Sequence, residues 1–128
     1  IEAIAGCDTL VIAPSNPPLS IWPILAIDAI DAAVVDHPRT VAVSPLFGGR
    51  PLKGPADRVM AGVGLREGTA GILNAYEGRI QALVVDEADR GDIVLGADHG
   101  VDVFATDTLL NRSDHGRSLA ASVLGWDR

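Results

Sequence analysis

Four short apolar runs limit what this chain can fold into more than any other feature. They are Thr9-Leu10-Val11-Ile12-Ala13, Thr40-Val41-Ala42-Val43-Ser44, Ala82-Leu83-Val84-Val85-Asp86 and Val101-Asp102-Val103-Phe104-Ala105. The first three are apolar at consecutive rather than alternate positions, which is how strands buried on both faces read. The fourth alternates in part, with Asp102 between two valines, and suits a sheet edge. Helical stretches separate the runs. Ser20 can cap a helix over residues 21–34, with Pro23 tolerated in its first turn. A loop rich in glycine and proline over residues 45–54 precedes a helix that Pro55 can start and that reaches about Ala61. Residues 68–76 read as a further helix continuing through Gly78 to Gln81, and residues 113–124 as a last one with Leu119, Val123 and Leu124 on its apolar side. Residues 89–92 form a polar turn, followed by a short helical or irregular turn toward Gly96, and residues 107–110 are a connection. Strands alternating with helices imply crossover units and a mostly parallel α/β sheet.

With 128 residues the chain has room for one domain with a core, and 48% hydrophobic against 21% charged residues is the balance of a globular chain. The longest apolar stretch, residues 21–30, is broken by Pro23 and Asp28, so no membrane span is expected. A net charge of −7 argues against sequence-independent nucleic-acid binding, which needs clustered basic charge. A small anion needs only local amides and one or two cations, and stays open. Cys7 is the only cysteine, which excludes an internal disulfide and fits a reducing cytoplasm. The chain begins with Ile1 rather than Met, which suggests a processed or truncated product.

Two loops carry the candidate chemistry. Pro14-Ser15-Asn16-Pro17 follows the first strand directly, and ligands of open parallel sheets bind beyond the carboxyl ends of strands. Ser15 and Asn16 put a hydroxyl and an amide there, ahead of a helix start with free N–H groups. Local chemistry alone favours the plainer alternative, an Asn-Pro turn closing on its own backbone. The second loop, Ser44 to Pro55, also joins a strand to a helix. Gly48 and Gly49 permit close backbone approach, Lys53 offers a point charge and Arg50 a two-pronged one, and Gly54 with Pro55 sets the helix start. The spacing is neither a Walker loop nor a dinucleotide fingerprint, and a long solvated surface loop stands equally beside the phosphate reading.

Other residues say less. Asp86, Glu87, Asp89 and Asp92 lie at a strand end where carboxylates can hold Mg2+, though such residues are more often a solvated turn; Asp107 and Thr108 form a similar pair. His37, His99 and His115 lack metal-ligand spacing and read as structural or surface groups. Cys7, beside Asp8, has no visible activating base. Trp22, Trp126 and Tyr76 read as packing groups.

The two loops together are more specific than either. PSNPPLSIWPIL followed by AVSPLFGGRPLKGPADRVM closely resembles the 2-phospho-L-lactate transferase family, and the later VVDEADRGD and VFATDTLL segments look like the C-terminal strands of that family. The resemblance covers most of the chain and makes residues 1–128 one domain, the C-terminal portion of a larger three-layer Rossmann-like fold whose glycine-rich N-terminal part is missing. It implies transfer of a phospholactyl or phosphoenolpyruvyl group from a guanosine diphosphate-linked donor to the deazaflavin acceptor Fo, with GMP released and Mg2+ present, in coenzyme F420 biosynthesis. Abundant alanine and glycine, with arginine far commoner than lysine, suggest a GC-rich genome and lean toward the enolpyruvyl version. On this reading Lys53 is the catalytic group that neutralises charge on the leaving GMP, with Arg50 as a second cation beside it. Ser15, Asn16, Gly48, Gly49 and Gly54 serve donor and phosphate binding, and neither a general base nor metal ligands are identified. The alternative is a nucleotide-sugar-binding regulatory module of similar fold. A homodimer is left open.

Overall fold

A computed structural model describes residues 1–111 and 114–127. A helical turn, α1 (Glu2–Ala5), precedes β1 (Leu10–Ile12); a π-helical turn (Pro17–Ile21) then leads into α2 (Trp22–Leu25), α3 (Asp28–Val35) and β2 (Thr40–Val43). β3 (Leu46–Phe47) and β4 (Arg50–Pro51) form a hairpin before α4 (Ala56–Gly62) and α5 (Gly68–Ala75). β5 (Ala82–Asp86), a 3-10 helix (Glu87–Leu95), α6 (Gly96–His99), β6 (Asp102–Thr106) and α7 (His115–Gly125) complete the chain. The main sheet runs β1-β2-β5-β6, all parallel, with Leu10 opposite Thr40, Val41 opposite Ala82, and Ala82 opposite Asp102. This is the parallel α/β architecture implied by the alternating runs, and the Rossmann-like arrangement implied by the resemblance.

Period-two geometry sorts the strand residues onto two faces. Ile12, Ala42, Leu83, Val85 and Val103 meet Met60 of α4, Ile72 and Leu73 of α5, and Tyr76 just beyond it. Val41, Val43, Ala82 and Val84 meet Leu119 and Val123 of α7. Each large apolar side chain so buried contributes about 1.5–3 kcal/mol. Gly71 sets how closely α5 can lie: a Cβ there would stand 1.8 Å from the Arg66 carbonyl oxygen. Among the described residues no single helix is long and apolar enough to cross a membrane.

Several sequence expectations are corrected. The single helix over residues 21–34 is two helices bent by 99°, because Ile27 is extended and Asp28 and Asp31 supply the acidic first turn that favours a new start. Asn16, not Ser20, is the cap: its Oδ1 accepts from the N–H of Leu19 at 3.3 Å. β1 is only partly buried, with Val11 46% exposed, since α7 leaves an apolar groove beside it lined by Val11, Val43, Leu119 and Val123. The glycine- and proline-rich loop contains a hairpin whose two-residue turn, Gly48–Gly49, has φ of 60° and 76°, as the turn matching strand twist requires. α5 stops at Ala75, and Gly78 at φ 72° lies in the turn beyond it rather than inside a helix. The polar turn at residues 89–92 is part of the 3-10 helix. The proposed start of the last helix at Ser113 lies outside the described residues.

Candidate functional site

The carboxyl ends of β1, β2 and β6 open into one cleft of about 450 Å³. Pro14, Ser15 and Asn16 enter it from β1, Pro45 and Phe47 from β2 and the hairpin, Lys53 from the segment after β4, and Thr108 to Asn111 from the segment after β6. The position is the one where open parallel sheets bind ligands. Asn16 has two roles here. Its oxygen caps the π-helical turn, while its Nδ2 is buried without a partner at the cleft wall. Ser15 is half-buried and Lys53 exposed, and Lys53 has no ion pair among the described residues.

The structure divides the second candidate loop. Lys53 joins Ser15 and Asn16 in the cleft, whereas Gly49 and Arg50 line a neighbouring cavity of about 260 Å³ together with Arg66 and Gly68. Gly54, at φ 85°, turns the chain toward α4. Gly48 is exposed in the hairpin turn.

The walls are held from beneath. Ser44, buried at the end of β2, accepts through Oγ from the N–H of Leu46 at 3.2 Å and starts the hairpin. Asp86 ends β5 and reaches across to the segment after β6: Oδ2 accepts from the Thr108 N–H at 3.1 Å and from its hydroxyl at 3.2 Å, and Oδ1 from the Ala88 N–H. Burial opposes ionisation of Asp86, but these donors together hold its pKa below the ordinary value. Asp89 goes the other way. Burial raises its pKa, the N–H of Gly49 pulls it down, Asp92 raises it, and Gly48 and Asp86 act more weakly in opposite senses. Glu87 is paired with Arg90 at 2.7 Å. Asp86 and Glu87 are therefore occupied as parts of the fold, Asp89 Oδ2 is buried without a partner, and among the described residues no group of three or more His, Cys, Asp or Glu could hold a metal ion.

The sequence pairs Thr108 only with Asp107 and makes residues 107–110 a connection; the cleft gives Thr108 to Asn111 a wall to form. Their position just beyond β6 was the available signal. His115 braces this wall, its Nδ1 donating to the Leu109 carbonyl at 2.7 Å and lying 3.5 Å from Asp107 Oδ2.

The far end of the sheet confirms the structural histidine. His37 is buried, accepts through Nδ1 from the Arg39 N–H at 3.2 Å, and donates from Nε2 to the Cys7 carbonyl at 3.0 Å. The Cys7 thiol lies 3.4 Å from that Nε2, a closeness the sequence did not show. With Nε2 carrying the proton, the ring is no base toward the thiol, which donates instead to the Ile4 carbonyl. Trp22 donates to the Ala75 carbonyl and Trp126 to Asp102, so both tryptophans pack and bond. Tyr76 is fully buried, and burial pushes its pKa up.

Comparisons with known proteins converge on one family. The family model described as 2-phospho-L-lactate transferase CofD matches residues 1–119. A 2-phospho-L-lactate transferase of Methanosarcina acetivorans is 33% identical over 125 residues, covering 98% of this chain and 40% of the relative. One from Haloarcula marismortui is 46% identical over 105 residues, covering 81% of this chain and 29% of the relative. A phosphoenolpyruvate transferase of Kitasatospora aureofaciens is 34% identical over 126 residues, covering 97% and 39%. The chain thus spans about two fifths of the length of the curated relatives it matches along most of its own length.

Proposed function

The chain belongs to the 2-phospho-L-lactate transferase CofD family, and from that premise we propose that its cleft holds the diphosphate of a guanosine diphosphate-linked donor during transfer of a phospholactyl or phosphoenolpyruvyl group to the deazaflavin Fo, in coenzyme F420 biosynthesis. The observation that carries this reading is the meeting of Ser15, Asn16 and Lys53 in one cleft at the carboxyl ends of the strands. These residues come from two loops far apart in sequence.

The reaction is substitution at phosphorus. The acceptor hydroxyl oxygen forms a new P–O bond to the phospho-acid and gives its proton to solvent, the P–O bond to GMP breaks, and GMP leaves with the bridging oxygen. Such transfers depend on positioning and charge neutralisation more than on covalent chemistry by the protein. Lys53 supplies the positive charge for the departing phosphate. The Asn16 Nδ2, buried without a partner, is a donor available to a donor phosphate or ribose oxygen. Ser15 adds a hydroxyl beside it. Mg2+ belongs to the same proposal as an ion carried by the diphosphate. The carboxylates among the described residues do not make a site for it, and no step here is routed through it.

Calorimetric titration of this chain with GDP and Mg2+, with ADP and a UDP-sugar as controls, tests the reading. Selective GDP binding that weakens in Lys53→Ala supports it. Selective UDP-sugar binding sinks it in favour of a nucleotide-sugar module.

A further inference from the structure

Ser15, Asn16 and Lys53 account for only part of the lining of the cleft. Pro14, Pro45, Phe47, Pro51 and Leu109 line the same space of about 450 Å³ and are apolar. A cavity of that size, mostly apolar with a few convergent polar groups, is the usual form of a small-ligand site. An inorganic anion would use the polar part alone. The apolar wall fits an uncharged part of a larger ligand.

Among the described residues, Phe47 is the one aromatic side chain on that wall. The fold engages the other aromatic residues. Tyr76 is fully buried in the first apolar cluster, Phe104 and Trp126 pack against the second, and Trp22 donates to the Ala75 carbonyl. Phe47 is half-buried and belongs to neither cluster among the described residues. Successive side chains of a strand point to opposite faces. In β3, Leu46 takes the core face, at 1% exposure, which turns Phe47 to the other side, where it lines the cleft. An uncommitted phenyl face beside a group of polar donors is a stacking surface for a flat ring.

We propose that Phe47 is the platform on which a flat heteroaromatic ring of a ligand stacks, beside the diphosphate held by Ser15, Asn16 and Lys53. The proposal deepens the nucleotide reading above and rests on it. Two ligands of that reaction carry such a ring: the guanine of the donor and the deazaflavin of the acceptor. A phenyl face accepts either, because stacking tolerates any flat ring.

Titrations of this 128-residue chain and of its Phe47→Leu and Phe47→Tyr variants test the platform, with GDP, Fo and inorganic pyrophosphate as ligands and Mg2+ present throughout. Leucine keeps an apolar side chain on the hairpin, and tyrosine keeps the ring. Phe47→Leu should weaken binding of a ring-bearing ligand about tenfold, and Phe47→Tyr should restore it. A loss with GDP assigns the ring to guanine, and a loss with Fo assigns it to the deazaflavin. Pyrophosphate has no ring and should bind wild type and Phe47→Leu alike. A side chain that merely shapes the hairpin would displace Lys53 and weaken pyrophosphate as much as GDP, so equal losses overturn the proposal. Unchanged affinity of Phe47→Leu for both GDP and Fo overturns it too, and leaves the nucleotide reading standing. A wild-type chain that binds neither GDP nor Fo removes the nucleotide reading and the platform together.

Discussion

The two ends of the sheet use polar groups in opposite ways. Where the strands begin, polar atoms are partnered with one another except Arg39 Nε, which is buried without a partner. His37 links the Cys7 carbonyl to the Arg39 amide, Gln81 accepts from the Thr40 N–H at 2.6 Å, and Arg39 reaches the carbonyls of Leu124 and Trp126 while lying over the Trp126 ring. Where the strands end, the buried layer is just as well bonded, through Ser44 and Asp86. The layer above it is not: Asn16 Nδ2 has no partner and Lys53 has no ion pair among the described residues. One end closes the fold. The other is a bonded floor carrying unsatisfied groups, which is the arrangement expected of a site that receives an anion.

The largest test of this contrast is His37→Ala. It strands two half-buried backbone partners and leaves a hole, and should lower unfolding stability by about 2–3 kcal/mol in urea titration. GDP affinity of the folded protein should not change. A variant as stable as wild type would break the contrast at its closed end. Lys53→Ala should do the reverse. We expect about a tenfold loss of GDP affinity, roughly 1.4 kcal/mol, with stability altered by less than about 0.5 kcal/mol. Unaltered affinity would take Lys53 out of the site.

Thr108→Val probes the floor itself. Losing the hydroxyl bond to Asp86 should cost about 1 kcal/mol near neutral pH. That difference should depend on acid in a definite sense. Asp86 has a folded pKa below its ordinary 3.8, so its contribution is fully present above that value and is lost as the pH falls through the lower folded one. The gap between wild type and Thr108→Val should close in that window, and a gap that widened there would contradict the bonding of Asp86. The smallest effect is expected at Asp31→Asn. Its two-pronged pair with Arg79, at 2.7 and 3.1 Å, lies near solvent, and its loss should cost only about 0.5 kcal/mol.

Much of the fold was legible because burial and strand formation coincide in this sequence. Thr40–Val43 is buried throughout, and four of the five residues of Ala82–Asp86 are too, so an unbroken apolar run was a true sign of a central parallel strand. The same sign misled at Leu10–Ile12, where Val11 is half out in solvent: a run's composition cannot tell how much will cover it. The hairpin escaped notice because its strands have two residues each, too few for any periodicity, although Gly-Gly directly after the apolar Leu46-Phe47 pair was a usable hint. Ser15, Asn16 and Lys53 could be singled out as chemistry, and their meeting required the tertiary structure. Asp86 and Thr108 were each visible, but read as parts of solvated turns with metal binding as the lesser alternative, because sequence separation hid that one answers the other.

The order β1-β2-β5-β6 gives each strand of the main sheet the next main-sheet strand in the sequence as its neighbour. Among the described residues, no strand of this sheet has to be inserted between two others already joined. Parallel sheets are otherwise slow to assemble, because long loops must close before any pairing rewards them. Here the sheet can grow in one direction as the polypeptide leaves the ribosome, each newly made strand docking on the one before it.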